Sequence, residues 1–225
     1  MHMTTHLIQR SVLSLILAPT LACLSVWAMD DADFDDFEER IEAVNEGQLE
    51  FLNQPPAMPV HHHQNHITIT AESLVSGWIK LQQCHHQIDP VARAQVVYHD
   101  SYTRKLSIIS HSGIDKAWVE GSTIQLGGIH QEAILCITAE TRAFRPDDQG
   151  GFILRNGPYM RRFLDGYYPM HVSLSIQYPD QLLRFRSSTP AHQPGFQVQS
   201  GVGKLNINTW FEGRLITELH FDHNI

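Results

Sequence analysis

The chain has 225 residues, and 16 basic against 24 acidic side chains give it a formal net charge of −8. With 42% hydrophobic and 18% charged residues, the composition excludes a disordered polyelectrolyte and an integral membrane protein built from apolar spans. The acidic balance disfavours a dedicated nucleic-acid binder, which normally has a basic face, so no nucleic-acid partner is expected. A chain of this length can bury a large core in one β-domain.

Residues 1–28 have the organisation of a secretory signal peptide. Arg10 precedes a short apolar stretch, and Val26 and Ala28 fit the −3 and −1 positions of a cleavage site before Met29. The sequence therefore predicts a periplasmic or secreted protein of the bacterial envelope type, with no transmembrane span in the mature chain.

Two other interpretations of this segment stay open. An uncleaved N-terminal anchor would use residues 11–28, although Pro19 and the interspersed hydroxyl residues weaken such a span. A lipoprotein would be acylated at Cys23, but Thr20 stands where a leucine is expected.

Residues 29–59 are predicted to form an acidic helical arm and a Pro-rich linker. Residues 29–50 contain ten acidic side chains and only one basic one, so this segment carries −9 and the rest of the chain is close to neutral. An amphipathic helix is predicted over residues 31–45, and a Pro-rich linker over residues 55–59. The apolar face of the helix, which would dock on the body or on an envelope partner, contains four residues: Phe34, Phe37, Ile41 and Val44.

Residues 60–225 are predicted to form one mainly β domain, an antiparallel β-sandwich or a partly open barrel. Short β-like runs alternate with turn residues, and the clearest run alternates Val172, Leu174 and Ile176 with polar residues. One short inserted helix is predicted over residues 157–166, because Pro158 fits a first helical position and Gly166 fits a helix end.

After removal of the signal peptide, two cysteines remain, Cys84 and Cys136. In an oxidising compartment two thiols on β-strands commonly pair, so we expect a disulfide between them. The alternative is a pair of buried free thiols.

Histidines are unusually dense at two places in the chain. Four of the six residues 61–66 are histidines, and two more follow Cys84. Neutral imidazole is a common ligand of Cu and Zn, and residues two apart in an extended segment project to the same side. The alternative is a solvated loop with incidental metal affinity. The candidate metal ligands are five histidines: His61, His63, His66, His85 and His86.

A run of arginines suggests a binding site for an anion or a protein partner. The guanidinium group suits carboxylate and phosphate recognition. Such a site would bind an anionic ligand, a partner or the acidic arm itself, and the alternative is that the arginines point in several directions into solvent. The candidate residues are Arg142, Arg145, Arg155, Arg161 and Arg162.

No local catalytic motif supports an enzyme assignment. The sequence has no GxSxG, HExxH or CxxC pattern. The first hypothesis is therefore a non-enzymatic binding or assembly module of the envelope, whose arm binds a partner. The second is a periplasmic Cu or Zn binding protein that uses the residues from His61 to His66. The third is a hydrolase whose catalytic residues are dispersed along the chain.

Overall fold

The computed structural model describes residues 48–163 and 166–224, and the chain is mainly β there. The signal peptide and the amphipathic helix predicted for residues 31–45 lie outside these residues. The elements are β1 (Glu50–Leu52), β2 (His62–Thr68), α1 (Ser73–Ser76), β3 (Ile79–Ile88), β4 (Arg93–Val97), a 3-10 turn (Asp100–Tyr102), β5 (Thr103–Glu120), β6 (Thr123–Thr141), β7 (Phe144–Pro146), β8 (Phe152–Tyr159), β9 (Arg162–Phe163), β10 (Gly166–Tyr167), β11 (Met170–Gln177), β12 (Leu183–Thr189), β13 (Phe196–Gly201), β14 (Lys204–Glu212) and β15 (Leu215–His223).

The largest sheet has nine strands and is mixed. Its main path runs β1-β14-β11-β2-β3-β6-β4, while β13 also pairs with β14 and β5 with β6. All of these pairs are antiparallel except β11 with β2, which run parallel. Strand β2 thus lies between β11 and β3, in the interior of the sheet, and carries most of the histidine-rich segment.

A second sheet has four antiparallel strands in the order β12-β15-β8-β7, and β9 with β10 forms a small hairpin. Apolar side chains of both larger sheets join in one core. Ile67 and Leu174 come from the nine-stranded sheet, while Leu154 and Phe221 come from the four-stranded sheet. Burial of this apolar area is the main source of stability for a fold of this kind. A second apolar cluster follows β5 and β6.

The alternation predicted for residues 171–178 is confirmed. Val172, Leu174 and Ile176 are buried, whereas the polar residues between them are half-buried or exposed. The strand has one antiparallel neighbour, β14, and one parallel neighbour, β2. Local periodicity indicates which face is buried, but it does not specify the direction of the neighbouring strands.

The short helix predicted for residues 157–166 is wrong. Residues up to Tyr159 continue β8, which pairs with β15 through Leu215, and Tyr167 then pairs with Arg162 in the β9–β10 hairpin. The backbone of Gly157 has a φ of +96°, and a Cβ atom there would lie 2.6 Å from the Leu215 carbonyl oxygen. Glycine is therefore needed at this position for a close approach between strands and not for a helix end.

The expected disulfide between Cys84 and Cys136 is present. The two residues face each other across β3 and β6, with their Cα atoms 4.1 Å apart. Such a bridge is typical of oxidising compartments and is compatible with an extracellular or periplasmic location. Among the residues that the structure describes, no helix is long and apolar enough to cross a membrane.

Candidate metal centre

The histidines of strands β2 and β3 lie on two opposite faces of the nine-stranded sheet. In their antiparallel register His63 faces His85, and His62 faces His86. Because side chains alternate along a strand, the first pair lies on one face and the second pair on the other. The face with His85 also has buried Asn65 and is turned toward the core.

Three imidazoles converge on the inward face: those of His61, His63 and His85. One nitrogen from each ring lies within 4.8 Å of the other two. His85 Nδ1 and His61 Nε2 are 3.4 Å apart. Nitrogens bound to one tetrahedral ion at Zn–N distances of about 2.0–2.1 Å are about 3.3 Å apart. Small movements of the side chains would therefore bring the three nitrogens to the spacing that an ion requires.

A chain of buried amides orients His85. Its Nε2 donates to Gln83 Oε1 at 3.0 Å, so Nδ1 is an acceptor and takes a hydrogen bond from His61 Nε2 at 3.4 Å. Gln83 is fixed in turn, because its amide donates to Asn65 Oδ1 at 2.6 Å and its Oε1 accepts from the Tyr98 hydroxyl at 2.7 Å. Partners of this kind select the tautomer of a metal-binding histidine and hold its ring in place.

The three imidazoles are held in their neutral form, which is the form that binds metal. Burial lowers the pKa of His61 to about 4, while the charge of Asp89 opposes that shift. Burial also lowers the pKa of His85 to about 3 and the pKa of His63 well below its ordinary value. At neutral pH each of the three neutral rings therefore retains one nitrogen lone pair, and metal binding would replace the hydrogen bond between His85 Nδ1 and His61 Nε2.

One atom of the group has no hydrogen-bond partner within the described part of the chain. His63 Nδ1 is buried and unpartnered. His63 and His85 also line a cavity of about 400 Å³, which Tyr98 and Tyr159 border as well. A buried, unpartnered polar atom is costly and rare, so one beside a cavity indicates a ligand position.

The other candidate histidines lie away from this group. On the opposite face, the rings of His86, His62, His171 and Trp210 stack across four strands, with successive centroids 5.5, 3.8 and 4.4 Å apart. His66 also lies on this face and is exposed. His66 and His86 are therefore not part of the group formed by His61, His63 and His85. The stacked rings have their own partners: His62 with Ser173 Oγ at 2.8 Å, His86 with Gln64 Oε1 at 3.3 Å, and His171 with Asn208 Oδ1 at 2.7 Å.

Two of the five candidate arginines, Arg142 and Arg155, line the same cavity as His63 and His85. Arg155 also lies 3.7 Å from a carboxylate oxygen of Glu218. Arg145 is exposed on β7 and is not among the residues that line the cavity.

The remaining two arginines lie near the β9–β10 hairpin. Arg161 donates two hydrogen bonds to Asp89, at 2.6 and 3.0 Å. Arg162 lies 5.5 Å from the ring centre of Tyr167. The arginines thus occupy several places in the fold, and an ion pair already engages Arg161. The predicted partner-binding residues of the arm, Phe34, Phe37, Ile41 and Val44, lie outside the described residues.

Four further residues belong to the candidate site and were not predicted from the sequence: Asn65, Gln83, Tyr98 and Tyr159. A local signal exists for the first two, because Asn65 and Gln83 are polar side chains at inward positions beside buried apolar residues, Ile67 on β2 and Leu81 on β3. No local pattern indicates that Tyr98 or Tyr159 would meet them.

Replacing Gln83 by leucine should weaken Zn(II) binding by about 10–100-fold, since His85 loses the acceptor that fixes its tautomer. Competition with a chromophoric chelator measures this change. Gln83→Glu keeps an acceptor for His85 and should stay within about tenfold of the wild type. Equal affinity of Gln83→Leu and the wild type would show that Gln83 does not orient a ligand.

The metal-free protein should lose stability as the pH falls below about 6.5. In the unfolded chain His85 titrates near pH 6.5, whereas its pKa in the folded protein is about 3. Between these values the unfolded state binds more protons, so acidification favours unfolding, by about 2 kcal/mol at pH 5 for this residue. Urea unfolding at pH 7 and pH 5 in the presence of a chelator measures this decrease in the free energy of unfolding. The decrease should be smaller in His85→Gln, and an equal decrease in both proteins would contradict the assignment.

Comparison with known proteins gives no family. No protein-family model and no curated protein matches the chain. A solved structure of a mutant M1 zinc metallopeptidase from Deinococcus radiodurans matches with a TM-score of 0.43 and 11% identity, over 71% of this chain and 42% of that one. A structure of a mutant two-domain M1 zinc metallopeptidase with bound L-tryptophan matches with a TM-score of 0.39 and 11% identity, over 78% and 43%.

This chain therefore spans about two fifths of the length of the solved chains it matches. Likeness at this level identifies neither a family nor a site.

Proposed function

We propose that this chain is an exported β-sandwich protein that binds one transition-metal ion, Zn(II) or Cu, through His61, His63 and His85. The observation that carries the proposal is the convergence of three imidazole nitrogens within 4.8 Å of one another, where His85 is buried and His61 and His63 are half-buried. The orientation of His85 by Gln83 supports it, because an unspecific cluster of surface histidines has no need of a buried partner.

The donor set favours particular metals. Imidazole nitrogens suit Zn, Cu and Ni, whereas Mg and Ca prefer oxygen ligands. Three histidines leave a fourth position of a tetrahedral ion open, as in zinc sites that accept a small ligand. The half-cystine Cys84 stands next to His85 but is bridged to Cys136, so it offers no thiolate.

Export is proposed from the apolar N-terminal segment and is supported by the disulfide. An envelope partner for the acidic arm remains a proposal that depends on residues outside the described part of the chain. A hydrolase with dispersed residues also remains a prediction.

Calorimetric titration of the metal-free full chain with Zn(II) and with Cu(II) tests the proposed function. We expect one ion per chain, with proton release near zero at pH 7 because the ligands are already neutral. Weak binding of several ions per chain, with no saturation at one equivalent, would contradict a built site and indicate incidental affinity.

A further inference from the structure

The cavity beside the three histidines has the size and lining of a small-molecule site. Its volume is about 400 Å³, and it lies between residues of the nine-stranded sheet, such as His85, and residues of β8, such as Tyr159. Ligand cavities are typically of this order and combine an apolar lining with a few polar groups. Two of the three histidines, His63 and His85, line it, so an ion bound by the group would lie beside the cavity.

Buried hydrogen-bond donors in this cavity lack partners. Asn65 is 1% exposed, and its Nδ2 donates to no atom of the described residues, although its Oδ1 is bonded to Gln83. Asn156 Nδ2 is also buried and unpartnered, and both residues line the cavity. Buried polar groups are normally satisfied. Besides His63 Nδ1, these two unpartnered atoms of the lining are both N–H donors, so a molecule that satisfies them presents acceptor atoms, such as oxygens.

The charge of the lining agrees with an anionic acceptor. The cavity residues include Arg142 and Arg155, and none of the described residues that line it is acidic. Arg155 is partly balanced by Glu218 at 3.7 Å, so Arg142 is the arginine available to an incoming anion. Together with a metal cation, this lining would favour a negatively charged ligand.

The rest of the lining favours an organic anion over an inorganic one. A set of apolar side chains borders the cavity, and these give a hydrocarbon group a surface to contact. They are Leu81, Val96, Val97, Ala143 and Pro158. A phosphate ion would leave this surface in contact with water, whereas an organic acid would bury it.

We infer that this cavity binds a small organic carboxylate, with one carboxylate oxygen on the metal ion and the other near the amides of Asn65 and Asn156. The hydrocarbon body lies against Leu81 and Pro158. This inference rests on the proposed metal function, since the ion supplies one contact.

Titration of the Co(II)-loaded full chain with benzoate tests the inference. The visible spectrum of Co(II) reports both loading and a change in its ligands, and calorimetry gives the affinity. We expect benzoate to change the spectrum and to bind at least tenfold more tightly than benzamide or inorganic phosphate. Asn156→Asp and Arg142→Gln should each weaken benzoate binding at least tenfold while Co(II) still binds.

Arg145→Gln is the matched control, because it removes an exposed arginine outside the cavity and should leave benzoate binding unchanged. Arg142 is itself exposed, so its replacement keeps the test valid if Asn156→Asp does not fold. No benzoate binding to Co(II)-loaded protein, or equal binding to all variants, would overturn the inference and leave the metal site intact. Phosphate binding as tight as benzoate binding would contradict the inferred preference for an organic anion. Failure to load Co(II) would instead overturn the proposed function.

Discussion

Replacing His63 by alanine should lower the affinity for Zn(II) by at least about a hundredfold. Loss of a partner that merely orients a ligand costs about 10–100-fold, so loss of one of three ligands should cost more. His63 is positioned for this role by its register opposite His85 and by its unpartnered Nδ1. Competition titration against a chelator of known affinity measures the loss.

The chain provides a matched control for this experiment. His62 is the neighbouring residue of the same strand, but its side chain lies on the opposite face and its Nε2 contacts Ser173 Oγ. His62→Ala should therefore keep wild-type affinity. His61→Ala changes a residue that precedes β2 and provides a second ligand variant if His63→Ala folds poorly. If His62→Ala loses as much affinity as His63→Ala, the inward group is not the site.

Removing the disulfide should lower the free energy of unfolding by roughly 2–4 kcal/mol. The bridge spans 52 residues of sequence, and its loss restores conformational freedom to the unfolded chain. Cys84→Ser with Cys136→Ser, unfolded in urea beside the wild type, measures the change. Cys84 directly precedes His85 on β3, so a looser strand should also weaken metal binding.

A reducing agent provides an independent control for the disulfide. The wild type with dithiothreitol should approach the stability of the double variant, while the double variant itself should not respond. A double variant as stable as the oxidised wild type would show that the bridge adds nothing to stability.

Parts of the fold that depend on local patterns could be predicted. The alternation in β11 and the cysteine pair required only the order of residues along the chain. The end of strand β8 was predicted as a helix because Pro158 resembles a first helical position and Gly166 resembles a helix end. Its extended form depends on pairing with β15, which lies more than 50 residues later in the chain and leaves no local trace.

The candidate site could likewise be predicted from the sequence only where local patterns determine it. His61 and His63 are two apart in an extended segment, so their common side followed from the sequence, and the same alternation separates His66 from them. The choice of His85 over His86 depends on the register of β2 against β3, which tertiary pairing alone determines. The meeting of Arg142 and Asn156 at one cavity likewise depends on how the two sheets pack.

A crystal structure of the zinc-loaded full chain, with anomalous diffraction recorded at the zinc edge, tests the central claim most directly. We expect one anomalous peak per chain, about 2.0–2.1 Å from one nitrogen each of His61, His63 and His85. A peak bound instead by His62, His86 or His171, or no peak at the inward group under saturating zinc, would contradict it.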